Sequence, residues 1–259
     1  MADRNKKTQA IIFSLRQSGE QNRIVTAFSP EMGIFSCILY GGPKSKLRSL
    51  VQPFNSGTIY LYCDETKKSI KISDFDATNC HISIRENLYK SCAATLACEI
   101  VMKTKCAGDN ESAFTLLKAL LDGMDIVDET EARLGMLRFL WRYIGLLGIQ
   151  CDVKTCASCG KFLLSENMES FYVDQANLFV CKDCIPYFSS EIKLSSKLIP
   201  LDLNALTYLA AINELTPGKV RSLLLPQDSA YRMKQFLYHL IEKASETKLE
   251  TLATGSGIL

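Results

Sequence analysis

Apolar and polar residues follow a strand-like pattern over the first eighty positions of this 259-residue chain and a helical one thereafter. Gln9–Leu15, Arg23–Ser29, Gly33–Tyr40, Thr58–Tyr62 and Ser69–Ser73 are short runs rich in Ile, Val, Phe, Tyr and Thr, and each is a predicted strand. Ser18-Gly19, Pro30-Glu31-Met32-Gly33 and Gly41-Gly42-Pro43 supply the turns that separate them. The last run alternates at period two, as a half-exposed strand must. Five strands without a long helix suit a small barrel such as an OB-fold, although an SH3-like barrel has much the same periodicity. From Ile84 onward the spacing turns helical. Leu88, Cys92, Leu96 and Ile100 form one stripe, and Phe114, Leu117, Leu121 and Met124 a second. Leu134, Leu137, Trp141, Ile144 and Leu147 form a third, and Met233, Leu237, Leu240, Ile241 and Ala244 a fourth. Trp141, the single tryptophan, is expected in the core, and Asp228 is the candidate cap of the last of these helices. The expectation is an α+β chain: a five-stranded OB-fold barrel over residues 1–80, then an α-helical domain over 81–259. The tail from Thr254 to Gly257 carries no pattern and reads as mobile.

One segment breaks the helical pattern. Cys156-x-x-Cys159, twenty-one residues, then Cys181-x-x-Cys184 is the spacing of a structural zinc site, and it defines an inserted module at about 151–187. Phe171-Tyr172-Val173 and Leu178-Phe179-Val180 flank Asp174-Gln175-Ala176-Asn177, so the residues between the two knuckles read as a hairpin. Four thiolates fill a tetrahedral zinc shell and leave no position for a reacting water, which makes the expected cofactor one structural Zn²⁺. Lys154, Lys161 and Lys182 are expected to offset the net negative charge of such a centre. Four reduced, metal-free cysteines are the plainer alternative. A dithiol redox role fits less well, since no βαβ pattern precedes Cys156.

Seven further cysteines out of eleven show no paired framework, which places the chain in a reducing cytosol. The apolar stretch Ala10–Phe13 is too short for a signal-peptide core, and Phe139–Ile149 is interrupted by Arg142 and too short to span a bilayer, so no membrane role is expected. Overall net charge is only +2, yet residues 1–80 carry eleven Lys and Arg against seven Asp and Glu. The first third therefore leans toward a polyanion. Enzyme readings lack parts: His81 and His239 are the only histidines, and no phosphate-binding glycine loop occurs.

The basic residues of that first third include a glycine-containing stretch, Gly41-Gly42-Pro43-Lys44-Ser45-Lys46, followed by Arg48. Lysines offer point charges and arginine a planar fork to phosphates, and Tyr40 stands beside them as a stacking face. Phe35, Phe54, Tyr60 and Tyr62 read first as barrel core. Arg4, Lys6 and Lys7 read as a solvated arm.

These residues also carry a resemblance. Gly19-Glu20-x-x-Arg23-Ile24-Val25-Thr26, the turn at Gly33, the basic stretch closing on Gln52-Pro53-Phe54, Ile84-Arg85-Glu86, Leu147-Gly148-Ile149 and the paired CxxC knuckles resemble, in order, the bacterial RecO family of recombination mediators. The family's loop after the third strand commonly has several adjacent cations, whereas here Tyr40, Gly42 and Pro43 replace some of them. The resemblance implies an N-terminal OB-fold, a helical domain with a zinc module and no enzymatic turnover. It further implies binding and annealing of single-stranded DNA, contact with double-stranded DNA, and loading of the recombinase on DNA coated by single-stranded-DNA-binding protein. RecR and in some bacteria RecF are the implied partners, in the nucleoid of the bacterial cytoplasm. Candidate DNA contacts are Lys44, Lys46, Arg48, Tyr40 and Arg23. Candidates for holding the acidic C-terminal tail of single-stranded-DNA-binding protein are Arg232, Lys234, Tyr238 and Lys243, beside Tyr231 and Leu237. A zinc-ribbon adaptor of another protein complex, without direct DNA annealing, is the competing reading.

Overall fold

The alternating residues of the first third close into a barrel. In the computed structural model, residues 4–42, 45–64, 66, 68–166, 168–187, 197–255 and 257–259 are described. Strands β1 (Asn5–Ser18), β2 (Asn22–Ser29), β3 (Gly33–Leu39), β4 (Ser56–Asp64) and β5 (Ser69–Asn79) form a closed ring in the order β1-β2-β3-β5-β4. Only β3 and β5 pair in parallel, at Ile38 and Lys71. β1 completes the ring by pairing antiparallel with both β2 and β4. A five-stranded closed barrel of this order is OB-like, which decides against the SH3-like alternative. Ala10, Ile12, Val25, Ala27, Cys37, Leu39, Ile59, Leu61, Ile72 and Phe75 point inward and fill it. Gly57 brings β4 hard against β5: a Cβ there would meet the Asp76 carbonyl oxygen and lie 2.8 Å from the Thr78 nitrogen.

The connection from β3 to β4 is not an open loop. It contains the short helix α1 (Lys46–Leu50), whose Leu47 and Leu50 pack with Val51 on the barrel core. After the barrel come α2 (Ile82–Glu86), α3 (Leu88–Lys103), α4 (Asn110–Ile126) and α5 (Glu129–Leu146). Asn87 caps α3 by accepting from the Lys90 amide, and Asp109 caps α4 by accepting from that of Ser112. Phe114, Leu117, Leu121 and Met124 are all buried, and Phe114 meets Phe28 of the barrel edge-on at 5.5 Å. The stripe on α3 holds only in part: Leu96 and Ile100 are buried but Leu88 is 66% exposed. Residues four apart drift about 40° per step around a helix of 3.6 residues per turn, so a stripe of that spacing leaves the buried face.

The chain divides into two compact units, residues 1–136 with 245–259, and residues 137–244. The C-terminal residues thus belong with the N-terminal ones. Leu249 is fully buried, and the Glu99 carboxylate of α3 accepts from the amides of Glu250 and Thr251 at 2.8 and 2.9 Å. Those amides open the last helix, α9 (Glu250–Thr254), with α6 (Leu203–Glu214), α7 (Pro217–Arg221) and α8 (Gln227–Ala244) preceding it. The stretch from Leu249 to Gly255 is therefore held in place rather than loose, since Gly255 is buried too.

In the second unit β6 (Ser170–Val173) and β7 (Leu178–Cys181) form the expected hairpin, and β8 (Leu198–Leu201) adds a third strand in the order β7-β6-β8. Phe236 of α8 packs against Trp141, Tyr172 and Phe179, with ring centroids 6.2, 5.0 and 5.4 Å away. Trp141 is fully buried and donates its indole N–H to the Leu209 carbonyl at 3.0 Å. Asp228 lies inside the first turn of α8 instead of capping it, because the helix begins one residue earlier. Among the described residues, no helix is long and apolar enough to cross a membrane.

Candidate nucleic-acid interface and metal centre

The two CxxC knuckles converge. Cys156 donates its amide to the Lys161 carbonyl at 2.8 Å, and the Gly160 amide returns to the Cys156 carbonyl at 2.8 Å, which curls the first knuckle. Gly160 closes that curl at φ 72°, a conformation costly for any residue with a Cβ. Cys181 ends β7, and Cys184 follows in a 3-10 turn, Lys182–Tyr187. The four sulfurs lie within 4.8 Å of one another, and the Cys159–Cys181 separation is 3.8 Å. A tetrahedron with metal–sulfur bonds of about 2.3 Å has edges of about 3.8 Å. All four cysteines are free of disulfides.

The electrostatics fit a cation at that point. Burial opposes ionisation of Cys156, but the amides of Cys181, Cys159 and Ser158 outweigh it and hold the thiol down to about 6. At Cys184 the Ser158 side chain favours the thiolate, yet burial and the other three sulfurs push the group up to about 12. One thiolate forms readily and the next is resisted, and a cation between them would favour all four. The cluster can hold a metal ion and its donor set is compatible with zinc. The three lysines are less free than the sequence suggests. Lys154 pairs with Glu214, Lys161 with Asp183 at 3.0 Å and Lys182 with Glu169 at 2.8 Å. Asp183, and after it Cys181 and Cys159, hold Lys161 above the ordinary lysine range.

On the barrel, Tyr40 is 46% exposed at the end of β3, and the Lys71 ammonium lies 5.4 Å from its ring centre. Lys46 is exposed and Arg48 half-buried, both on α1, which packs against β5. Lys44 lies outside the described residues. Arg23 stands opposite Leu39 on β2, on the alternation that sends Val25 and Ala27 inward. It sits at the barrel rim, not on the outward face that carries Tyr40.

Phe35 and Phe54 are buried, whereas Tyr60 and Tyr62 alternate with buried Ile59 and Leu61 and point outward. Their neighbours are not apparent from the sequence. β1 starts at Asn5, so Lys6 and Lys7 are strand residues and not an arm. Lys7 pairs with Tyr60 and places its ammonium 5.4 Å from that ring centre; Arg4 donates to the Tyr62 hydroxyl at 3.4 Å. A lysine two positions from the strand start carries no sequence signal of which ring it will face; only the register decides it.

The partner-site candidates divide. Lys234 lies over Tyr231 and Tyr238 at 5.4 and 6.0 Å, and Arg232 reaches Asp202 at 3.8 Å. Lys243 bonds the Asp174 carbonyl and carboxylate at 2.7 and 3.0 Å, beside His239 on the same carboxylate at 2.8 Å. Leu237 is fully buried, so it packs the core and cannot line a surface slot.

Comparison with known proteins agrees with this architecture. Residues 1–80 match the family described as Recombination protein O N terminal, and residues 85–253 match Recombination protein O C terminal. A DNA repair protein RecO of Desulforamulus reducens is 26% identical over 245 residues, covering 93% of this chain and 92% of that protein. One of Oceanobacillus iheyensis is 20% identical over 92% of this chain and 88% of its own length. One of Dehalococcoides mccartyi is 24% identical, with coverage of 80% and 78%. With both family domains matched in order over nearly all of its length, this chain belongs to the RecO family.

Proposed function

We propose that the chain is a non-enzymatic DNA repair and recombination mediator. It binds single-stranded DNA on the barrel, anneals complementary strands and assists recombinase loading on DNA coated by single-stranded-DNA-binding protein. The observation that carries this reading is an exposed tyrosine beside a basic helix on the wall of an OB-like barrel. Such a pairing holds a strand by its phosphates and stacks its bases without reading sequence. Lys44, Lys46, Arg48 and Tyr40 are the proposed contacts, with Arg23 at the rim. Residues 1–80 form the nucleic-acid module. Residues 81–259 carry one structural Zn²⁺ on Cys156, Cys159, Cys181 and Cys184 and serve as the platform for RecR, RecF where present, and the acidic tail of single-stranded-DNA-binding protein. Arg232, Lys234, Tyr238 and Lys243 are the proposed contacts to that tail, double-stranded DNA is a further ligand, and the site of action is the nucleoid.

Annealing of complementary oligonucleotides by the purified protein, followed across a salt series, tests the reading. The expected result is accelerated annealing and an affinity that falls linearly on log–log axes as salt rises. An adaptor without a DNA role would show neither.

A further inference from the structure

The face of an OB barrel expected to hold an oligonucleotide is that of its second and third strands. Here that face has little to offer a base. Asn22, Ile24 and Thr26 of β2 and Ile34, Ser36 and Ile38 of β3 are its half-buried or exposed positions, none of them aromatic, with the half-buried Arg23 at the rim. The rings lie at its edge and beyond: Tyr40 just past the end of β3, and Tyr62 on β4, two strands further round across β5. Tyr62 is paired with Lys71 across β4 and β5, and Lys71 is in turn paired with Ile38 of β3, two residues before Tyr40. Lys71 thus stands between the two tyrosines, on register for one and 5.4 Å from the ring centre of the other. Arg4 touches the far end of Tyr62, and α1 with Lys46 and Arg48 packs against β5.

The other end of the row is closed to a polyanion. Tyr60 is paired with Asp74 and donates its hydroxyl to Asp76 at 3.1 Å, and both carboxylates are exposed. Lys7 and Lys6 border the same cleft of about 380 Å³, so the charge there is cancelled and not positive.

We propose that a single strand crosses the outer wall of the barrel from Tyr62 over Lys71 to Tyr40 and on to α1. Its bases stack on the two rings, its phosphates meet Arg4, Lys71 and the cations of α1, and Asp74 and Asp76 turn it away from Tyr60. Strand neighbours lie about 4.8 Å apart, so the two rings sit roughly two strand spacings from each other, far enough for a base on each without mutual stacking. This rests on the proposed single-strand binding and adds to it a route and a direction.

Fluorescence anisotropy with labelled oligo(dT) tests it on Tyr62→Ala, Tyr62→Phe, Tyr60→Ala and the double variant Asp74→Asn/Asp76→Asn, each checked for a parental melting curve. Tyr62→Ala is expected to weaken binding by about 5- to 160-fold, the range for removing one base stack. Tyr62→Phe keeps the π face and is expected to bind like the parent. Tyr60→Ala should change affinity by less than about 2-fold, whereas removing the two carboxylates should tighten it. Tyr62→Trp adds a direct readout: its fluorescence should be quenched by oligo(dT), against the buried Trp141 background. Parental affinity of folded Tyr62→Ala, equal losses at Tyr60 and Tyr62, or an unquenched Tyr62→Trp variant overturns the route. If those results come with loss of binding on substitution of Lys46 and Arg48, single-strand binding stands and only the route falls. If the parent protein binds no single strand, both fall.

Discussion

Gly57 and Cys159 show how differently single residues are constrained. At Gly57 a methyl group has only backbone to push against, the Asp76 carbonyl and the Thr78 amide, so Gly57→Ala must part β4 from β5. It is expected to cost about 1–3 kcal/mol, read as a lower denaturant midpoint. Cys159 is the one exposed member of its cluster, so its removal leaves no cavity and tests the proposed metal directly. Cys159→Ser is expected to cut bound zinc well below one per chain and to destabilise residues 137–244, because a structural metal contributes its binding energy to folding. The barrel should keep its melting transition. Well under one zinc per chain in the parent, prepared without chelators, would reject the site. The two residues are visible in the sequence to different degrees. The CxxC spacing names all four sulfurs, whereas nothing near Gly57 foretells that β5 will lie against it. The same holds for Lys154, Lys161 and Lys182: their proximity to the cysteines is legible, but Glu214, Asp183 and Glu169 reach them only after folding.

At the scale of elements, the five strands and the hairpin between the CxxC knuckles are legible because alternation and turn residues mark them locally. α1 and β8 are not. α1 has five residues and no side-chain cap, too little for periodicity, and β8 is four residues long and gains its partner β6 from across the intervening chain. Since α1 presents Lys46 and Arg48 from a helix, replacing both by Ala should leave the barrel folded. It should lower the slope of log affinity against log salt by about 1.4, which is about 0.7 for each phosphate no longer neutralised. The turn of the hairpin between β6 and β7 has its own tether. Burial works against the Asp174 carboxylate, but His239 and Lys243 outweigh it and hold the group below its ordinary value. A carboxylate lowered by folding stabilises the native state above its unfolded pKa of about 3.9 and ceases to as pH falls through the folded value. Asp174→Asn is therefore expected to destabilise the second unit at pH 7 and to reduce its further loss of stability below about pH 4. Parallel pH profiles for variant and parent would contradict this.

Across the whole molecule, the charge asymmetry between the first eighty residues and the rest is readable from composition, but the membership of the two compact units is not. Periodicity marks where a helix lies and says nothing of which unit it joins, so the return of residues 245–259 to the N-terminal unit emerges only from the fold. That return rests on Glu99, whose carboxylate caps α9, and on the burial of Leu249. Deleting residues 245–259 should expose apolar surface on α3, leave a partly buried carboxylate without its two amides, and lower the melting temperature of the barrel-bearing unit by several degrees. Unchanged melting of that unit would show the tether to be idle. The arrangement also bears on synthesis. Domains generally fold from the N-terminus as they leave the ribosome. Here the barrel can close early, but the unit around it must wait through the synthesis of more than a hundred further residues for the segment that seals it. A segment made late completes a unit begun early, so a nascent or truncated chain that stops before residue 245 presents an open N-terminal unit to chaperones and proteases.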